Sequence, residues 1–130
     1  MKENRKALGK AGEDDAALYL AGNGYQIVAR NVRPIPGMSR GEIDIVAWDR
    51  NILVFVEVKT RRRTLSNQGY PSESINYTKR RQLVKLANAY IGINRINNVA
   101  CRFDVVFVIM QPDIPVQVHH IHNAFDATDW

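Results

Sequence analysis

From about Arg5 to Ala21, Leu8, Ala11, Asp15 and Leu18 fall near one stripe, and the segment is rich in alanine, the best helix former. Gly22-Asn23-Gly24 ends this helix, because both residue types tolerate the left-handed geometry of a helix C-cap. Tyr25 to Val32 is rich in β-formers and reads as a strand. A loop with two prolines follows, from Arg33 to Arg40. Two apolar runs come next, Gly41 to Trp48 and Ile52 to Lys59, joined by Asp49-Arg50-Asn51. Thr60 to about Tyr77 has no period and is expected to be a long loop, the kind that is often functional. Asn76 or Thr78 then caps a second helix running to about Ile91. Its core stripe is Leu83, Leu86, Ala87 and Tyr90, and Gly92 is its stop. Cys101 to Met110 is a near-continuous β-rich run, expected to be a central strand. Gln111-Pro112-Asp113 turns the chain into a last strand, Val116 to Ile121. The order α-β-β-β-α-β-β predicts an α/β domain whose mixed sheet carries helices on both faces.

The two apolar runs fix their own register. If Asp49 pairs with Ile52 across Arg50-Asn51, then Trp48 meets Leu53, Val46 meets Phe55, and Asp44 meets Glu57. On the opposite side Ala47 meets Val54, Ile45 meets Val56, and Ile43 meets Val58. Glu42 would then face Lys59. A slip of one residue would place paired side chains on opposite faces, so this register is favoured. Both faces are apolar over most of the length, which predicts a hairpin covered on both sides.

Opposed side chains on paired strands have Cβ atoms roughly 4.5–5.5 Å apart. Two ionised carboxylates at that separation repel, and burial drives one of them to hold a proton. A divalent cation removes the conflict by binding both, and hard oxygen donors suit Mg²⁺ or Mn²⁺. Such a site can hydrolyse a phosphodiester. Lys59 shares the face of Glu57, because the strand period is two. Its ammonium can contact the phosphate, orient the attacking water, stabilise the transition state, or act as a base. The competing reading is a Glu57–Lys59 or Glu42–Lys59 pair at a solvated sheet end.

Composition narrows the field. At 130 residues the chain suits one domain with a real core, expected to span residues 1–130. No apolar run approaches the roughly 20 residues of a membrane span, so no membrane partner is expected. The basic N-terminus lacks an apolar signal core, and Cys101 stands alone, which together point to the cytoplasm. A net charge of +5 favours polyanionic partners only weakly. Clustering says more: Lys59, Arg61, Arg62 and Arg63 follow the acidic hairpin, and Lys79, Arg80, Arg81 and Lys85 form a second group.

At Asp44 and Glu57-Val58-Lys59 the chain resembles the PD-(D/E)XK nuclease superfamily, whose core is an Asp followed on the next strand by Glu-X-Lys. It looks closest to the small bacterial YraN family, similar in fold to archaeal Holliday junction resolvases. The resemblance runs from Gly12-Glu13 through Gly41-Glu42-Ile43-Asp44, Phe55 to Arg61 and Cys101 to Val105, and ends at His122-Asn123-Ala124-Phe125. It implies an α/β restriction-endonuclease-like core, a central mixed sheet flanked by helices. It also implies that Asp44 and Glu57 match metal ligands, that Lys59 matches the catalytic lysine, and that Glu13 matches the helix-borne acid completing the site. Ile43 stands where the motif has its proline. The function implied is Mg²⁺- or Mn²⁺-dependent hydrolysis of DNA phosphodiesters, branched or structured DNA included. Arg61, Arg62, Arg63, Lys79 and Arg81 are the expected backbone-phosphate contacts. Resolvases act as dimers, so a homodimer is the assembly implied. Two other readings stay open: a non-catalytic nucleic-acid-binding module on the same fold, and a protein-interaction subunit.

His120 and His122 share a strand face and invite a zinc reading, but no third ligand stands at a recognisable spacing. A strand-end or surface role is expected for them. Cys101 reads as a small core residue and Asp104 as a structural one. Trp48 and Phe55 read as core; Tyr70 and Tyr77 are the better candidates for stacking on bases.

Overall fold

The structure is a computed structural model that describes residues 5–37, 41–63 and 75–125. The elements run α1 (Arg5–Gly22), β1 (Gln26–Val32), β2 (Ile43–Asp49), β3 (Ile52–Arg62), α2 (Tyr77–Ile93), β4 (Ala100–Gln111) and β5 (Ile114–Ile121). The five strands form one open sheet in sequence order. Only the β3–β4 contact is parallel; the others are antiparallel. The fold is a mixed α/β sheet with a helix on each face, consistent with a restriction-endonuclease-like core. No helix among the described residues is long and apolar enough to cross a membrane.

The hairpin register is the expected one. Asp49 pairs with Ile52, Trp48 with Leu53, Val46 with Phe55, and Ile45 with Val56. Both faces are covered. Ile45, Ala47, Val54 and Val56 pack beneath Ala16 and Leu20 of α1. Val46, Leu53 and Phe55 pack with Leu83, Leu86 and Tyr90 of α2. Burying each such side chain stabilises by roughly 1.5–3 kcal/mol. The α2 stripe is the predicted one with Val84 added, and Asn76 is its cap: the Asn76 side chain accepts from the Lys79 N–H at 2.9 Å.

Three expectations are corrected. The buried stripe of α1 is Gly12, Ala16 and Leu20, not Leu8, Ala11, Asp15 and Leu18; Leu18 is 72% exposed. Small residues define that stripe because α1 lies close on β3. An ideal Cβ on Gly12 would stand 1.8 Å from Thr60 Oγ1. Strand β3 runs on through Thr60, Arg61 and Arg62, where a loop was expected. Its extra residues are held by the parallel ladder to β4, a partner remote in sequence. Cys101 is exposed, not a core residue, because it sits at the first turn of β4 near the sheet's end.

The end of α1 is a Schellman turn. Tyr25 N–H donates to Leu20 O and Gly24 N–H to Ala21 O, with Gly24 at φ +90°. That closure aims β1 back along the sheet.

Candidate metal and phosphate site

The β2–β3 ladder stops at Ile45–Val56. At the next position the Asp44 side chain takes over, and its Oδ2 accepts the Val58 N–H at 2.8 Å. This bends the Asp44 carboxylate over β3, where it lines one cleft with Glu57. Glu57 is only 8% exposed. Burial, and then the Glu57 charge, push the Asp44 carboxyl up to about 9. Asp44 therefore favours its protonated form near neutral pH, which is what a carboxyl set beside a second, buried acid does.

Glu13 reaches this place from α1. The glycine beside it, Gly12, is what allows the helix to approach Thr60 so closely. Asn31 Nδ2 donates to Glu13 Oε1 at 2.8 Å, and Arg30 stands 3.6 Å from the same oxygen. Burial raises the Glu13 pKa against the pull of Arg30, and the Glu42 charge adds to the rise. Carboxylate oxygens of Glu13, Glu42 and Asp44 lie within 4.8 Å of one another. Glu42 is not opposite Lys59 as the extrapolated register had it. The ladder ends before that position, and Glu42 instead pairs with Arg33 at 3.6 Å. Lys59 lines a cleft of about 460 Å³ together with Leu8, Glu13, Asp44, Glu57 and Arg61.

The basic residues divide. Lys79, in the first turn of α2, places its Nζ 3.5 Å from Glu57 Oε2. Arg61 lines the acidic cleft, while Arg62 is exposed and Arg63 half-buried where β3 ends. Arg81 lies elsewhere, over the Tyr77 ring at 5.8 Å, beside a separate open pocket on the outer face of α2. Tyr70 lies outside the described residues, and Tyr77 is 56% exposed.

A family model described as the uncharacterised protein family UPF0102 matches residues 12–108, a span that contains all four carboxylates and both lysines of this site. The chain belongs to the UPF0102 family. A UPF0102 protein of Symbiobacterium thermophilum is 44% identical over 122 residues, covering 94% of this chain and 98% of its own. A second, from Syntrophotalea carbinolica, is 41% identical over the full length of both chains. The crystal structure of SSO0001 resembles the chain at 18% identity and a TM-score of 0.39, over 97% of this chain. The UPF0102 chain spans 56% of that protein's length, and at this TM-score the likeness carries no argument.

Sequence reasoning brought Asp44, Glu57 and Lys59 to one cleft. The strand period also placed Glu42 on that face, though opposite Lys59 and not beside Glu13. Lys79 had no such signal, since 22 positions and a helix start separate it from Glu57.

A second cluster in the UPF0102 chain is structural. Asp104 Oδ1 accepts from Arg102 Nε at 2.8 Å and from the Asn123 N–H at 2.9 Å. Asp104 Oδ2 lies 2.8 Å from His120 Nε2, 3.1 Å from an Arg102 amino group and 3.4 Å from the Tyr25 hydroxyl. Burial alone would raise the Asp104 pKa. The hydrogen bonds from His120, Arg102 and Asn123 outweigh it and hold the carboxyl well below the usual range. Burial and the Asp104 charge push the Tyr25 phenol up to about 12. The His120 side chain is 3% exposed, which corrects the surface role expected of it; pairing of β5 with β4 swings it over Asp104. His122 stacks on His120 at 3.8 Å. Oxygens of Asp104 and both nitrogens of His120 already have partners, Tyr19 taking the second nitrogen at 3.3 Å. Ligand atoms of Asp104, His120 and His122 lie within 4.8 Å of one another, but those of Asp104 and His120 are already engaged, and the cluster locks the sheet's far edge.

Proposed function

We propose that this UPF0102 chain is a metal-dependent nuclease of the PD-(D/E)XK type, acting on DNA phosphodiesters. The observation that carries the reading is the acidic cleft: buried Glu57 and half-buried Asp44 lie in a cleft lined also by Glu13 and Lys59, and Asp44 meets Glu13 and Glu42. An arrangement that keeps like charges together at a cost to the fold is expected where a ligand repays it.

The donor set fits a hard divalent cation. All four groups are carboxylates, and thiolate and imidazole are absent from the cleft lining among the described residues. Asp44, Glu57 and Glu13 would hold Mg²⁺ or Mn²⁺, with Glu42 as the further donor that the fold brings in. Such a cation supplies stabilisation of charge on a phosphoryl oxygen and a more acidic water. The chain's own residues supply the rest. Lys59 presents an ammonium at the cleft wall, where it can neutralise a phosphate oxygen or orient a water. Arg61, with Arg62 and Arg63 beyond it, extends positive charge from the cleft along the end of β3, where a backbone phosphate can lie. Such contacts give affinity without base choice, which suits recognition of DNA shape.

The test is cleavage of duplex, flap and four-way-junction DNA with Mn²⁺, for wild type and Lys59→Ala. Cutting by wild type that Lys59→Ala loses is expected. No cutting of any substrate, with DNA binding that survives Glu57→Gln, would replace the reading with a non-catalytic binding module. No binding at low salt would leave a protein-interaction role.

A further inference from the structure

The Glu57 carboxylate has a neighbour on each side. Asp44 lies beside it in the cleft from β2, and Lys79 approaches its Oε2 to 3.5 Å from α2. Glu57 is almost wholly buried, with a side chain 10% exposed, whereas the Lys79 side chain is 33% exposed. The backbone at position 79 is fixed, because its N–H is the one that the Asn76 cap accepts. Four methylenes separate that fixed point from the ammonium, so the charge can leave Glu57 without moving the helix. Lys79 therefore differs from Lys59, which stands on the sheet itself.

We infer that Lys79 is a tethered counter-cation that competes with the divalent metal for Glu57, and so sets the metal concentration at which the site loads. The inference rests on the metal-dependent reading above. A metal bound through oxygen sits roughly 2.0–2.2 Å from its ligand. An ammonium 3.5 Å from the same carboxylate would then face a double positive charge at close range in a poorly screened setting. Both cations cannot keep their places on Glu57. Metal entry must displace Lys79, and the lost ion pair subtracts from metal affinity. Lys79 is thus a positioning residue for the metal, not one of its ligands.

Calorimetric titration of Mn²⁺ into wild type, Lys79→Met, Lys79→Arg and Lys85→Met tests this. Lys85 lies exposed on the same helix and outside the acidic cleft, so it controls for a general loss of charge. Lys79→Met should bind Mn²⁺ about tenfold tighter than wild type, Lys79→Arg should stay within about threefold, and Lys85→Met within about twofold. If Lys79→Met is poorly folded by circular dichroism, Lys79→Gln is titrated in its place. Equal or weaker Mn²⁺ binding by the neutral variant overturns the role assigned to Lys79 and leaves the nuclease reading standing. Wild type that binds no Mn²⁺ even at millimolar concentration removes the nuclease reading, and the competition with it.

Discussion

Replacing Asp44 with Asn should stabilise the metal-free protein near neutral pH. Burial and Glu57 hold the Asp44 carboxyl at about 9 in the folded chain, against 3.8 for an unperturbed aspartate. The folded state therefore takes up a proton that the unfolded chain releases. The stability this confers is fully present below about pH 4 and is lost as pH rises through about 9. Each pH unit in that window costs about 1.4 kcal/mol, so the ceiling on the cost at pH 7 is about 4 kcal/mol. Lys79 stands 3.5 Å from Glu57 and offsets part of its charge, which reduces the expected figure to about 2 kcal/mol. Asn is the neutral isostere of the protonated acid. Its oxygen can keep the Val58 N–H bond, and its amide can donate to Glu57 as the acid proton does. In a chelator, Asp44→Asn should melt about 6 °C above wild type at pH 7.5. The gap should shrink steadily toward pH 5, as the unfolded wild type nears protonation at Asp44 and folding no longer has to take up a proton. Saturating Mn²⁺ should then raise wild type and leave Asp44→Asn unmoved; 100-fold excess over Kd is worth about 2.7 kcal/mol, enough to close the gap. Thermal melts followed by circular dichroism over pH 5–8, with and without Mn²⁺, measure all of this. An Asp44→Asn protein less stable than wild type at pH 7.5 in chelator, or one whose difference from wild type does not depend on pH, refutes the raised Asp44 pKa.

Gly12→Ala should cost about 1–3 kcal/mol in urea unfolding, because the new methyl collides with Thr60 Oγ1 on β3 and α1 must move away. Thr60→Ala in the same chain should recover part of that loss, the Thr60 Cβ remaining 2.9 Å from the new methyl, and a change of helix propensity alone would permit no recovery. Asp104→Ala should cost about 2–3 kcal/mol, since it leaves half-buried Arg102 with Asp49 as its only ion-pair partner among the described residues and removes the partner of His120 and the Asn123 N–H. A loss under 1 kcal/mol would mean that the far-edge network is not what holds β5 and the following turn.

The hairpin was legible in the sequence. Apolar matching of the two runs across a two-residue turn favours one register, and that register sends Asp44 and Glu57 into one cleft just past the end of the ladder. The α2 stripe was legible for the same kind of reason, a period of 3.6 with an Asn cap before it. The α1 stripe was not. Its contact surface is built on a missing side chain at Gly12, and hydrophobic periodicity does not register the absence of a group.

What the chain's residue pattern settles is local: the strand period, the turn and the apolar matching converge two carboxylates within some fifteen residues of sequence. What the tertiary structure settles is who joins them. Glu13 arrives because α1 can lie against Thr60, and Lys79 because Asn76 starts α2 beside Glu57. Glu42 turns inward only because the ladder ends before it. His120 becomes buried only when β5 closes on β4 over Asp104. Each of these depends on a contact between segments remote in sequence. The physical reason is that periodicity encodes which face of an element a residue occupies, whereas the distance between two elements is set by the packing of every side chain between them.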